Sequence, residues 1–246
     1  MLLTIVTIPA IINVGIGYIT RDRAGTDRID LITYRDYVGV SSALLLFVAI
    51  VAPDVICPDR RQRVLPLMFA RPLTGVDYVA AKVGAITALL FAFSFLPQVV
   101  LFVGNMLVSN DTLDYFTGHL DVLWKVPVAA ALLAVFYAVV SLAVSSFTDR
   151  RVVGGASIMG LFLVTSISSA VIVGDRLPLD DGSAGALVNV LALPLLLRDL
   201  VFLGRIDEGE TLSGVANGGL AAVAAYLVVV LMGVGVLLRR YQWVER

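Results

Sequence analysis

Three stretches of this 246-residue chain hold residue types that can do chemistry. One is "GGASIMG", Gly154 to Gly160, where Ser157 sits in a glycine-rich apolar run, the setting of an intramembrane serine nucleophile. The spacing is G-x-S-x-M rather than G-x-S-x-G, and the sole histidine, His119, falls in a separate stretch expected to be an external loop. Small residues that let helices pack closely are the expected role of this run. His119 lies between Asp114 and Asp121 with no second histidine or cysteine cluster nearby, so it reads as part of a solvated loop and no metal site is expected. Cys57 is the only cysteine; it has no intramolecular disulfide partner and reads as a small buried hydrophobe. The third stretch, "APDVICPDRRQRVLPLMFARPLTGVDYVAAK" from Ala52 to Lys82, concentrates four arginines, three aspartates, a lysine and four prolines between two long apolar runs. Guanidinium groups at that density suit charge-assisted contacts to acidic partners. No catalytic residue is expected anywhere in the chain.

The elements that carry these stretches must be mostly membrane-embedded. The chain is 59% hydrophobic and 15% charged, with a mean hydropathy of +0.94, and a typical soluble domain has about a quarter of its residues charged. A net charge of -1 excludes the uniformly basic surface of a nucleic-acid binder. About 20 apolar residues cross a bilayer core as a helix, and six long apolar runs, charged only at Asp54, Lys82 and Lys125 near their ends, are candidates: 1–19, 38–55, 78–108, 123–147, 152–174 and 215–238. The first lacks the basic start and small-residue cleavage site of a secretory signal, so it reads as a span. The expected fold is a single all-α membrane domain over residues 1–246 with six transmembrane helices.

Alternation of six spans puts 56–77, 148–151 and 239–246 on one side and 20–37, 109–122 and 175–214 on the other. With the charges at the span ends, the first set holds ten basic and five acidic groups, the second eight and fourteen. The positive-inside tendency therefore places the first set, and both termini, in the cytoplasm. The four external arginines of 20–37 are expected to be matched by Asp22, Asp27, Asp30 and Asp36. Arginine outnumbers lysine 16 to 2, a hint of a G+C-rich bacterial genome, and the expected location is a bacterial plasma membrane.

Arg60, Arg61 and Arg63 at bilayer depth would cost about 2.5–3.5 kcal/mol each, so their segment must lie outside the hydrocarbon. Pro58 suits a first helical position, Asp59 suits the positive end of the helix dipole, and Val64, Leu65, Met68 and Phe69 form an apolar stripe, which together predict a short amphipathic helix at the membrane surface. Pro66 ends it early, Arg71-Pro72 forces an extended step, and Thr74-Gly75-Val76-Asp77 reads as a capping box that starts the third span. On Asp59, Arg60, Arg61, Leu65, Arg71, Pro72, Leu73, Tyr78 and Lys82, this segment resembles the connection between the second and third spans in permease subunits of type-2 ATP-binding-cassette exporters. The resemblance implies a coupling helix, within 57–73 and including Arg63, that rests on a cytoplasmic ATPase subunit. Arg63 and Val64 stand where that family often has Gly-Thr, and the sequence begins inside its first expected span, ahead of which that family usually has a cytoplasmic amphipathic helix.

The chain has no G-x-x-x-x-G-K-[ST] phosphate loop. No cofactor is expected in this chain; ATP and Mg belong to a partner, and the resemblance implies two ATPase copies and a second permease chain, identical or related, in the lipid bilayer. The external segment 175–214 contains an apolar stretch from Ala186 to Leu197, broken by Pro194 and too short to cross, which reads as a re-entrant or surface-lying helical pair, closing the outer end of the pathway or simply packed on the spans. Asn13, Ser94, Gln98 and Asn105 are the deepest polar groups in the spans and read as interhelical hydrogen-bonding groups or as a translocation surface. The lack of charge deep in any span argues against an ion-coupled carrier and for a hydrophobic or amphipathic substrate. A membrane anchor without a pathway and an integral membrane enzyme of another type are the competing readings.

Overall fold

The computed structural model describes residues 7–8, 11–12, 14–16, 34–37, 41–61, 74–109, 112–173, 184–206, 212 and 217–242. Among them every regular element is helical. The single turn α1 (Tyr34–Tyr37) is followed by α2 (Ser41–Arg61), α3 (Gly75–Val108), α4 (Thr112–Gly118), α5 (Leu120–Ser145), α6 (Arg151–Val173), a 3-10 turn (Ala184–Val188), α7 (Leu193–Leu203) and α8 (Gly218–Gln242). Among the described residues, α3, α5, α6 and α8 are long and apolar enough to cross a membrane, which is the build of a helical membrane protein. Their bounds fall within a few residues of the third to sixth expected spans. Of the first expected span, the described pieces 7–8, 11–12 and 14–16 are helical, and Val14 packs with Tyr34 on Leu101 of α3.

α5 is the central post. It touches α2, α3, α6, α7 and α8, and 67% of its most apolar stretch is buried, against 17% for α6 and 22% for α8. A helix that is apolar all round belongs in the interior, and the alanines at 129, 130, 134 and 138, each buried, let the surrounding helices come close. Phe136, Tyr137 and Phe162 fill the space beside them, with Tyr137 edge-on to Phe162 at 5.7 Å.

The seam between α2 and α6 depends on a proline and a pair of glycines. Pro53 gives no N–H to the Ala49 carbonyl one turn earlier, and that freed oxygen faces Gly155, where a Cβ would stand 2.6 Å from it. Gly154 rests on the Pro53 ring, with its Cβ position 3.1 Å from the Pro53 Cβ. Gly154 and Gly155 of "GGASIMG" thus serve close packing, as expected, whereas Gly160 of the same run faces open space. Arg151 on α6 pairs with Asp54 on α2 at 3.2 Å, and the buried Cys57 thiol donates to the Thr148 carbonyl at 3.5 Å.

Two prolines behave otherwise than their sequence context suggested. Pro58 does not start a new helix; α2 runs unbroken through Pro53 and Pro58 to Arg61. An interior proline costs about 3 kcal/mol, and here buried Ile56 and Cys57 and the ties of Asp54 and Asp59 hold the helical path on both sides of it. Pro194 does not break the apolar stretch but sits in the first turn of α7, where its missing N–H has no intrahelical use. α7 lays Leu193, Leu196 and Leu197 onto the bundle, touches α5 and α8, and ends at Gly204, whose φ of 68° is open to glycine at little cost.

Gly155→Ala will push α2 and α6 apart against the Ala49 oxygen and destabilise the protein by about 1–3 kcal/mol. Thermal unfolding in detergent will show a lowered Tm for Gly155→Ala and none for Gly160→Ala, whose Cβ meets open space.

Candidate functional site

The largest concentration of specific polar contacts at one end of the bundle closes on Asp59. Thr74 starts α3 with a full capping box: its Oγ1 accepts from the Asp77 N–H at 3.3 Å and its own N–H donates to Asp77 Oδ2 at 3.1 Å. This fixes the helical phase, so Tyr78 and Lys82, four residues apart, share the face turned to α2. Lys82 Nζ lies 2.7 Å from Asp59 Oδ2 and donates to the Val55 carbonyl at 3.0 Å. The Tyr78 hydroxyl donates to the same Asp59 oxygen at 2.8 Å, and Lys82 sits 5.4 Å from the centre of the Tyr78 ring. On its far side the Tyr78 ring meets Tyr241 at 5.0 Å, which brings in the last turn of α8. Asp59 and Lys82 are only 18% and 24% exposed, so their attraction is screened less than that of a surface pair.

The polar atoms of this cluster are engaged with one another. Its carboxylate and ammonium are spent on each other, and the result is a clamp joining α2, α3 and α8. The clamp closes the chain into a loop containing residues 60–77. Arg60 and Arg61 form the last turn of α2, at the rim of the clamp. Arg63, Leu65, Arg71, Pro72 and Asn13 lie outside the described residues. Asp59 is thus tied to the start of the next helix, a role that its expected place at a helix N-terminus did not include.

At the opposite end, Gln98 and Asn105 converge on Tyr34 of α1. Gln98 Nε2 donates to the Tyr34 carbonyl at 3.1 Å, Asn105 Nδ2 to the Tyr34 hydroxyl at 3.2 Å, and the Tyr34 and Tyr115 hydroxyls are 2.6 Å apart. The two residues therefore act in helix-to-helix bonding. Ser94 does not join this network; its Oγ is buried without a hydrogen-bond partner among the described residues. His119 stacks on Tyr115 at 4.1 Å and its Nδ1 meets the Tyr115 carbonyl at 2.9 Å, so the expected loop is partly the helix α4. Asp121, 55% exposed, pairs with Lys125, which also donates to the Phe202 carbonyl at 3.2 Å and so ties α5 to α7. Arg35, expected to find its match within its own segment, has Asp199 of α7 at 3.1 Å from its Nε. Asp199 is 1% exposed, and its Oδ1 also accepts from Arg198 Nε and Nη2 at 3.0 and 2.8 Å. The sequence signal for that buried pair was an Arg-Asp dipeptide inside "LPLLLRDLVFL".

Ser157 has the geometry of an ordinary helical serine: its Oγ donates to the Val153 carbonyl at 2.7 Å. His119 adjoins one end of α5 and Ser157 lies near the other, about 30 Å away along the helix axis. No hydrolytic pair forms. Comparison of the chain with protein-family models, with curated proteins and with solved structures gives no match.

Asp59→Asn and Lys82→Met will each destabilise the fold, and the double variant will lose less than the sum. A coupling energy of about 1–3 kcal/mol is expected from the thermodynamic cycle, measured by denaturation in detergent.

Proposed function

We propose that this chain is the transmembrane permease subunit of an ATP-driven exporter of the ATP-binding-cassette kind. It moves a hydrophobic or amphipathic substrate out of the cytoplasm or inner leaflet with energy from separate ATPase subunits. The observation that supports the reading most is the junction at Asp59. Helix α2 continues as helix through Pro53 and Pro58 to Arg61, and Asp59 is bonded there to Tyr78 and Lys82 at the start of α3. A load on the arginine-bearing segment would therefore reach two long helices at once. α2 would carry α6 with it through Arg151–Asp54 and the Gly155 contact, and α8 would follow through Tyr241.

In this reading residues 57–73 rest on the ATPase, with Arg60 and Arg61 offering guanidinium contacts to acidic groups of that partner. The rest of the proposal is the six-span plan, two permease chains with two ATPase copies that hold ATP and Mg, and both termini on the cytoplasmic side of a bacterial plasma membrane. The apolar walls of α3, α6 and α8 favour an uncharged or shielded substrate.

The double variant Arg60→Glu, Arg61→Glu will insert and fold as the parent does but lose at least about tenfold in ATP-stimulated transport. Vesicle transport assays with the co-purified ATPase read this directly. Undiminished transport by that variant, or isolation from native membranes without any phosphate-loop ATPase, removes the proposal.

A further inference from the structure

In the turn between α5 and α6, Phe147 points its ring outward, 63% exposed, although the residues on either side of it are held in place. Ser146 is buried and donates to the Ala143 carbonyl at 2.7 Å, and the Thr148 carbonyl accepts from the Cys57 thiol of α2 at 3.5 Å. The guanidinium of Arg240, in the last turn of α8, lies 4.8 Å from the centre of the Phe147 ring. Next to it in the chain, Tyr241 is buried against Tyr78 of the Asp59 clamp, so the turn that bears Arg239 and Arg240 is anchored from the inside. A guanidinium lying over a ring keeps its N–H groups at the edge, and that edge fits two oxygens of one phosphate.

The charges at this end of the bundle do not cancel. Asp54 is engaged by Arg151, Asp59 by Lys82 and Asp77 by the Thr74 cap. Asp149 is then the remaining carboxylate among the described residues of this end, and Arg150, Arg239 and Arg240 make no ion pair among the described residues. Arg150 follows Phe147 by three residues, which keeps their Cα atoms within about 11 Å, so its side chain reaches the surroundings of the same ring. The flanking surface is apolar: Val152 and Val153 of α6 and Met232 and Val236 of α8 are exposed, within two helical turns of the arginines. Guanidinium and hydrocarbon thus adjoin at the ends of two membrane-crossing helices, the level at which phospholipid phosphates lie. A soluble phosphate or an acidic protein would satisfy the arginines and leave no use for the apolar surface below them. A phospholipid matches both, and the surplus of guanidinium selects a headgroup without a cation of its own.

We infer that Arg240, oriented by Phe147 and joined by Arg239 and Arg150, binds the headgroup phosphate of an anionic phospholipid whose acyl chains lie on the exposed apolar surface of α6 and α8. The inference rests on the membrane-crossing helices and this charge arrangement, and does not depend on the permease reading.

The test uses the full-length protein in phosphatidylcholine bilayers that carry a trace of spin-labelled phosphatidylglycerol or spin-labelled phosphatidylcholine, with electron spin resonance reading the fraction of label held by the protein. Phosphatidylglycerol is expected to be held about tenfold more strongly, and that preference will fall below about twofold in Arg240→Gln. Phe147→Leu keeps every charge but takes the ring from under Arg240, and will cut the preference about threefold. Arg239→Gln changes an exposed side chain and serves as the arm that leaves the packing alone; it too will cut the preference about threefold. Equal retention of the two lipids overturns the inference and leaves the patch to an acidic protein partner. A preference that survives Arg240→Gln and Arg239→Gln, or is untouched by Phe147→Leu, belongs to the net charge of this end and also overturns it. So does displacement of the label by sodium phosphate beyond that by sodium chloride of equal ionic strength, which assigns the arginines to a soluble anion.

Discussion

An ionised carboxylate beside hydrocarbon must have a counter-charge within reach, and at Asp59 that requirement organises one whole end of the molecule. Lys82 and Tyr78 answer it from α3, Tyr241 supports Tyr78 from α8, and the Val55 carbonyl accepts a second hydrogen bond from Lys82. Remove the carboxylate and the ammonium of Lys82 is left at the same depth, so neither partner is dispensable alone. The arrangement also sets where the cationic segment begins and ends, since residues 60–77 are bounded by the clamp on both sides.

The same logic, at backbone scale, joins α2 to α6. Pro53 removes a ladder hydrogen bond and exposes the Ala49 oxygen, and a glycine on the neighbouring helix lets its own backbone approach that oxygen. A helix with a proline in its interior is weaker taken alone, and here the weakness is offset by an interface that only such a helix can offer. Through α5 these local junctions become one body, because α5 is in contact with α2, α3, α6, α7 and α8.

Features whose causes are local were legible in the chain. Thr74 and Asp77 are three residues apart and formed their capping box; α3, α5, α6 and α8 follow the long apolar runs to within a few residues; Cys57 is buried as its type suggests. What escaped were causes distant in sequence. Pro58 was read as a helix start because the ties that hold it inside α2 come from residues 78, 82 and 148. Pro194 was read as a break because the helix it starts draws its burial from α5 and α8. Gln98 and Asn105 were recognised as buried polar groups, but Tyr34 stands 64 and 71 positions away, and no periodicity points to it. At the clamp, Asp59, Tyr78 and Lys82 were each singled out, whereas their meeting on one carboxylate oxygen was not.

α3 has a further consequence through its length. Its 34 residues make a rod of about 51 Å, and the uncharged part after Lys82 alone measures about 39 Å, against a hydrocarbon layer of about 30 Å. A helix meets such an excess by tilting, by bending, for which Pro97 offers a place, or by thickening the lipid around it, and the far end of this one is tied to Tyr34, which bonds Tyr115. Its length thus couples the bundle to the thickness of the lipid around it, since any change in that thickness alters how much of the excess the helix has to accommodate.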